Sequence, residues 1–361
     1  MTFYFCMHDF KLCQLVMKDI RKYILLGFML SAVLAKGMSQ PIPPANRKQL
    51  AQKEDSLKVV ADSMINGLSP GKRFLSDSVF VRTLVRALKI PHSFSYPFDS
   101  LASVSRLYAP DSSFRIFTWQ LKKDDYMYLQ KGAIQMKTAD GSLKLLPLFD
   151  ASMFTGKPLD SVRTRNNWIG AIYYKIIQKT HNGKKYYTLL GFDDFSVASN
   201  RKWMEVLSFN ENGEPVFGGP FISFREDTAK KAEQFRFNIE YKKEARTTFN
   251  YNPELDMIIY DHLISETEEP EKKDTYIPDG DFEGFKWQNG QWVHVDKVFD
   301  FKLKEGEAPV ERTIRDNEGN IDENKLMEQS LKNEQNALKP EKKPVKKAAT
   351  PPAAPVKKKK A

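Results

Sequence analysis

The feature that most constrains the fold of this 361-residue chain is a change of period. From about Phe94 to Leu303, apolar residues recur at every second position, the spacing of side chains on one face of a strand. The clearest runs are 114–119, 168–178, 185–192, 202–209, 234–241, 245–251 and 257–264, all rich in aromatic and β-branched residues. Turn pairs punctuate them at Asp140-Gly141, Asn182-Gly183, Asn212-Gly213 and Asn289-Gly290. Such pairs tolerate the positive φ that tight hairpins require. Four hairpin signals with no long helical segment between them predict a mainly β domain over residues 91–303, an antiparallel meander rather than a parallel sheet. Barrel, sandwich and propeller-like arrangements all fit the pattern.

Residues 40–90 instead carry the helical period. Behind an extended spacer at Pro41, Pro43 and Pro44, a first helix is expected over 46–66, with Leu50, Leu57, Val60, Ala61 and Met64 on one face. Gly67 suits its C-terminal cap, and Ser69-Pro70 suits the next N-cap and first turn. A second helix over 72–89 carries Leu75, Val79, Leu84 and Leu88 and stops before Pro91.

The N-terminal region, 1–39, addresses the chain. Read from Met17, which looks like the true start, Lys18, Arg21 and Lys22 form a positive n-region. Residues 23–35 are almost wholly apolar, and the small residues Ala35, Gly37 and Ser39 follow. A spanning helix needs about 20 apolar residues, and this run stops at Lys36. The pattern predicts a cleaved signal peptide and an exported protein, periplasmic or associated with the outer envelope; an uncleaved N-terminal anchor is the alternative. Both cysteines, Cys6 and Cys13, precede Met17, so an exported body has no disulfide, cysteine–metal site or thiol nucleophile.

The formal net charge of +10 is an appendage. Residues 339–361 hold nine lysines and one glutamate, and the N-terminal region is also positive, so the body between them is close to neutral. After a polar linker at 304–338 with a possible helix from Ile321, this Lys/Pro/Ala tail is too poor in apolar residues to fold. Lys342, Lys343, Lys346, Lys347, Lys357, Lys358, Lys359 and Lys360 are its candidate contacts to an anionic envelope surface, lipid head groups or lipopolysaccharide. No aromatic residue interleaves them, so base stacking on nucleic acid is not suggested.

The phrases from Leu107 to Trp119 (LYAPDSSFRIFTW) and from Tyr276 to Trp292 (YIPDGDFEGFKWQNGQW) resemble those of a family of exported β-rich proteins of Bacteroidota-type bacteria. That family has no assigned activity. The resemblance covers roughly residues 45–303 and implies export and a β-rich fold, without site residues.

Signatures of catalysis are weak. The stretch 67–71 has the glycine–serine spacing of a nucleophile elbow, but a helix rather than a strand precedes Ser69, which reads as an N-cap. Asp279, Asp281 and Glu283 resemble the opening of a calcium loop, yet the twelfth position is Gly290 rather than a bidentate glutamate. They read as a turn between strands. His92, His181, His262 and His294 are scattered without metal-ligand spacing; His181 reads as a solvated turn residue, and His262 and His294 as outward-pointing. Asp193, Asp194, Asp256, Asp261 and Glu266 read as solvated strand-end acids. No metal or cofactor is implied. Trp287 and Trp292, flanking the Asn289-Gly290 turn, together with Phe282 and Phe285 are candidates for an apolar platform that takes a sugar ring or a peptide; cross-strand packing is the competing reading. The whole is best read as a non-enzymatic, exported envelope-binding or structural protein. A hydrolase of envelope glycans or peptides and a basic nucleic-acid-binding protein are the alternatives.

Overall fold

A computed structural model describes residues 41–124, 127–228, 231–299 and Met327, and the domain described below lies within the unit Met1–Asp300. The signal region, the tail lysines and, apart from Met327, the expected linker helix fall outside the described residues.

Two helices come first, α1 (Pro44–Asn66) and α2 (Pro70–Leu88). Gly67 closes α1 with φ −58, so its value lies in space rather than backbone freedom: a Cβ there would stand 2.5 Å from the Ser63 carbonyl oxygen. Ser69 caps α2, its hydroxyl accepting the Lys72 N–H at 3.4 Å, and Pro70 occupies the first turn. The face α2 buries agrees with the expected one at Leu84 and Leu88 and departs from it towards the helix start. Leu75 is exposed, and Arg73, Asp77, Phe80, Leu84, Ala87 and Leu88 turn inward. Arg73 reaches the carbonyl oxygens of Lys122 and Gly67, which gives a buried guanidinium its partners.

Fifteen strands follow among the described residues, in three sheets. The first is β1 (Ser105–Tyr108), β2 (Phe114–Lys122), β3 (Tyr128–Met136) and β4 (Lys144–Phe149), in sequential order. The second orders β5 (Arg163–Thr164), β9 (Pro215–Phe217), β8 (Ser199–Phe209), β7 (Lys184–Asp193) and β6 (Ile172–His181), and β11 (Arg236–Lys242) also pairs with β8. The third orders β10 (Ile222–Ser223), β15 (Gln291–Val295), β14 (Tyr276–Gln288), β13 (Met257–Ser265) and β12 (Phe249–Asn252).

All four turn pairs join antiparallel neighbours. Asn182-Gly183 and Asn289-Gly290 have positive φ at both residues, whereas in the other two pairs only Gly141 and Gly213 do. The fold departs from a pure meander in three places, the first being β5, which pairs antiparallel with β9 at the far side of the second sheet. β10 lies parallel to β15. In addition, β9 covers only Leu207–Phe209 of β8, so β11 returns to pair with the open edge at Ser199–Glu205.

Three cores separate the layers. The helices pack on Phe117, Trp119 and Leu121 of β2. The opposite face of β2, Phe114 and Ile116, meets Tyr187, Leu189, Trp203 and Leu207 of the second sheet. The far face of that sheet, Leu190, Met204 and Val206, meets Ile258, Tyr260, Phe285 and Trp292 of the third. The fold is therefore mainly β, built of antiparallel sheets packed face to face behind two helices, without a closed barrel among the described residues. No helix among those residues is long and apolar enough to cross a membrane.

Candidate functional site

A cavity of about 320 Å³ is walled by β11, β13, β14 and the end of β15. Its floor is a hydrogen-bonded chain of acids, histidines and a tyrosine, and strand register assembles it. Tyr260 on β13 pairs directly with Glu283 on β14, and Phe285 two residues further on pairs with His294 on β15. His294 is only 3% exposed, because it shares the inward face of β15 with Trp292. The outward orientation expected from its neighbours is thus corrected.

Both ring nitrogens of His294 are committed. Nδ1 lies 2.9 Å from Asp227 Oδ1, and Nε2 lies 3.0 Å from Glu283 Oε2 and 2.8 Å from the Tyr260 hydroxyl. Tyr260 donates to the same Glu283 oxygen at 2.5 Å. Burial alone would pull the His294 pKa down; hydrogen bonds to Glu283 and Asp227, and the charges of both, outweigh it and hold it above the ordinary value. The two ring N–H groups then donate to two carboxylates. Burial would also raise the Glu283 pKa, but the hydrogen bonds from His294 and Tyr260 hold it low. The Tyr260 phenol is pushed far up, first by burial and then by the Glu283 charge.

His262 stands at the open side. Between Asp261 and Leu263 the β13–β14 register shifts, with Asp279, Gly280 and Asp281 opposing His262 alone. The acidic phrase read as a turn between strands is therefore a bulge inside the continuous strand β14, with Gly280 at φ +99. Its outcome is to set Asp279 Oδ2 2.7 Å from His262 Nδ1, while His262 Nε2 faces Glu283 Oε1 at 3.5 Å. Asp279 has a lowered pKa: burial opposes this, but the Asp281 N–H and His262 prevail. Lys231 lies over the Phe224 ring and Lys273 over the Tyr276 ring at the cavity rim. Acids, imidazoles, ammonium groups and aromatic rings thus face one space, which can donate and accept hydrogen bonds. Among the described residues no group of three or more His, Cys, Asp or Glu is arranged to hold a metal ion.

The expected aromatic platform does not form as an exposed face. Phe285 and Trp292 have no exposed surface, being core residues between the second and third sheets. The Trp292 indole donates to Thr188 Oγ1 at 2.8 Å, and its ring packs edge-on against Trp287, 5.3 Å between centroids. Phe282 packs on Phe299. Packing thus engages all four, across strands for Trp287 and Trp292, while Phe282 and Trp287 stay half-buried. His181 is not merely solvated either, since its ring lies over Gly290 as the His92 ring lies over Gly141. Of the strand acids, Asp261 lines the cavity, and burial raises its pKa. Asp227 and Tyr260 escaped sequence reasoning, and Glu283 entered it only as part of the acidic phrase, because their convergence depends on register and on a loop. The bulge glycine between two aspartates was the one local signal.

Comparison with family models, with curated proteins and with solved structures found no match for this chain.

Proposed function

We propose that this is an exported protein of the cell envelope that binds a polar ligand of the glycan or peptide class in the histidine–carboxylate cleft, without transforming it. The carrying observation is the double engagement of His294. A general base must reach the substrate proton with a free nitrogen, and both nitrogens here are buried and held by Asp227, Glu283 and Tyr260. Among the described residues lining the cleft there is no serine, threonine or cysteine to act as nucleophile. What the cleft does offer is a fixed array of donors and acceptors between aromatic walls, the composition of a binding site. Export rests on the charged, apolar and small-residue order of residues 18–39. The lysine tail would add a sequence-independent attraction to anionic surfaces that fades as salt rises.

Co-sedimentation with purified sacculi and with outer-membrane vesicles tests this, comparing the chain from Gln40 to Ala361 with one ending at Leu338. Both forms are expected to pellet with sacculi, the shorter form with little dependence on salt, and His262→Ala is expected to weaken that pelleting. Failure of both forms to pellet with either material would remove the binding reading.

A further inference from the structure

We propose that a second cavity, between the first and second sheets, binds a single pyranose ring. It has a volume of about 180 Å³ and lies away from the histidine cleft, lined by Gln130 of β3, Asp150 and Met153 after β4, Asp193 at the end of β7, and Phe195 and Trp203 around the start of β8. Its polar groups are held rigidly. The Gln130 backbone N–H donates to Asp150 Oδ2 at 3.3 Å, and the Gln130 side-chain amide donates to Asp193 Oδ1 at 2.8 Å. Asp150 Oδ1 in turn accepts the N–H groups of Ser152 and Gly170, at 2.9 and 3.1 Å. Gly170 must be glycine for this closure, because a Cβ there would lie 2.1 Å from the Gln130 Cβ.

Two buried side-chain atoms of this wall are left without a hydrogen-bond partner, an acceptor and a donor. They are Gln130 Oε1 and Trp203 Nε1, on residues 3% and 4% exposed. The indole N–H sits close enough to Asp193 to lower its pKa but outside hydrogen-bond geometry. Unpartnered buried polar atoms are costly, and a ligand able to satisfy both an acceptor and a donor removes the cost. Hydroxyl groups on a ring do so, since each both donates and accepts. Burial pushes the Asp193 carboxyl up to about 6, so near neutrality it is mostly ionised and meets a hydroxyl as an acceptor.

The rim supplies the apolar half of the match. Met153 is 54% and Phe195 39% exposed, and the Arg201 guanidinium, also lining the cavity, stacks on the Phe195 ring 3.2 Å from its centroid. An aromatic ring held rigid beside polar groups suits the apolar face of a sugar. An extended peptide needs a groove with neighbouring pockets for alternate side chains, whereas this space accommodates one ring.

Titration calorimetry of the full-length protein with D-glucose, N-acetyl-D-glucosamine and the dipeptide Ala-Ala tests the assignment. One of the sugars is expected to bind saturably with a dissociation constant of about 1 mM, the affinity typical of so small a ligand. Trp203→Phe and Gln130→Leu are each expected to weaken it about tenfold, the value of one net hydrogen bond. In the unsubstituted protein the Trp203 indole N–H resonance is expected to shift on sugar addition, a readout that needs no variant. Absence of saturable sugar binding, an unmoved indole resonance, or binding of Ala-Ala in place of either sugar would overturn the proposal.

Discussion

Burial by itself would favour a neutral His294, and it is the pair of carboxylates on either side that keeps the proton there. This has a definite consequence for stability. A folded-state pKa above the ordinary 6.5 means that the histidine contributes its full stabilisation below that value, and loses it as pH rises through the higher folded pKa. Glu283 runs the other way. Its folded pKa lies below 4.5, so its contribution is complete above that value and is lost as pH falls through the folded pKa. The network is therefore most stabilising between about pH 4.5 and 6.5, the window set by the two ordinary values. His294→Gln leaves Asp227 and Glu283 facing each other without a cation, and by the cost of breaking a buried pair it is expected to lose about 3 kcal/mol at pH 6. Denaturant titrations of both proteins from pH 5 to 9 would check this. The gap between them should narrow as pH rises, and a gap independent of pH would mean that His294 is neutral in the native protein.

Hairpin turns are the elements most fully encoded by adjacent residues, and they were legible in the sequence for that reason. Asn289-Gly290 and Asn182-Gly183 share the same doubly left-handed backbone, yet they differ in surroundings. A Cβ at Gly183 meets nothing within 4 Å, while one at Gly290 would stand 2.6 Å from the His181 ring. Gly183→Ala is expected to cost about 1 kcal/mol from backbone strain alone. Gly290→Ala is expected to cost about 1 kcal/mol more, because the imidazole must also yield. Urea unfolding of the two variants measures the difference, and equal losses would show that the His181 ring moves freely. The rest of the architecture was harder to read, and the reason is range. Aromatic and β-branched runs located β2, β6, β7, β8 and β13, whose side chains enter one core or two, but such runs are silent about which strands become neighbours. The return of β11 to the free edge of β8 depends on how short β9 is. The candidate cleft was illegible for the same reason, since Tyr260, Glu283 and His294 meet only through the register of three strands. The aromatic signal at Trp287 and Trp292 was real but belonged to the core.

At the scale of the whole molecule, the second sheet is the shared wall of two cores. Along β7 the side chains alternate between them, with Leu189 entering the core against the first sheet and Leu190 the core against the third. Polar ties cross both boundaries, from the Tyr173 N–H to Thr118 Oγ1 on one side and from the Trp292 indole to Thr188 Oγ1 on the other. Neither core can be lost without exposing one face of the second sheet, so the three layers are expected to unfold together. Leu189→Ala and Leu190→Ala each open a cavity at a fully buried position and should each cost about 2–5 kcal/mol. Because the shared sheet couples the cores, both substitutions should lower one and the same calorimetric transition. Sheets that melted independently would respond differently: Leu189→Ala would shift one transition, Leu190→Ala another, and the scan of the unsubstituted protein would resolve two.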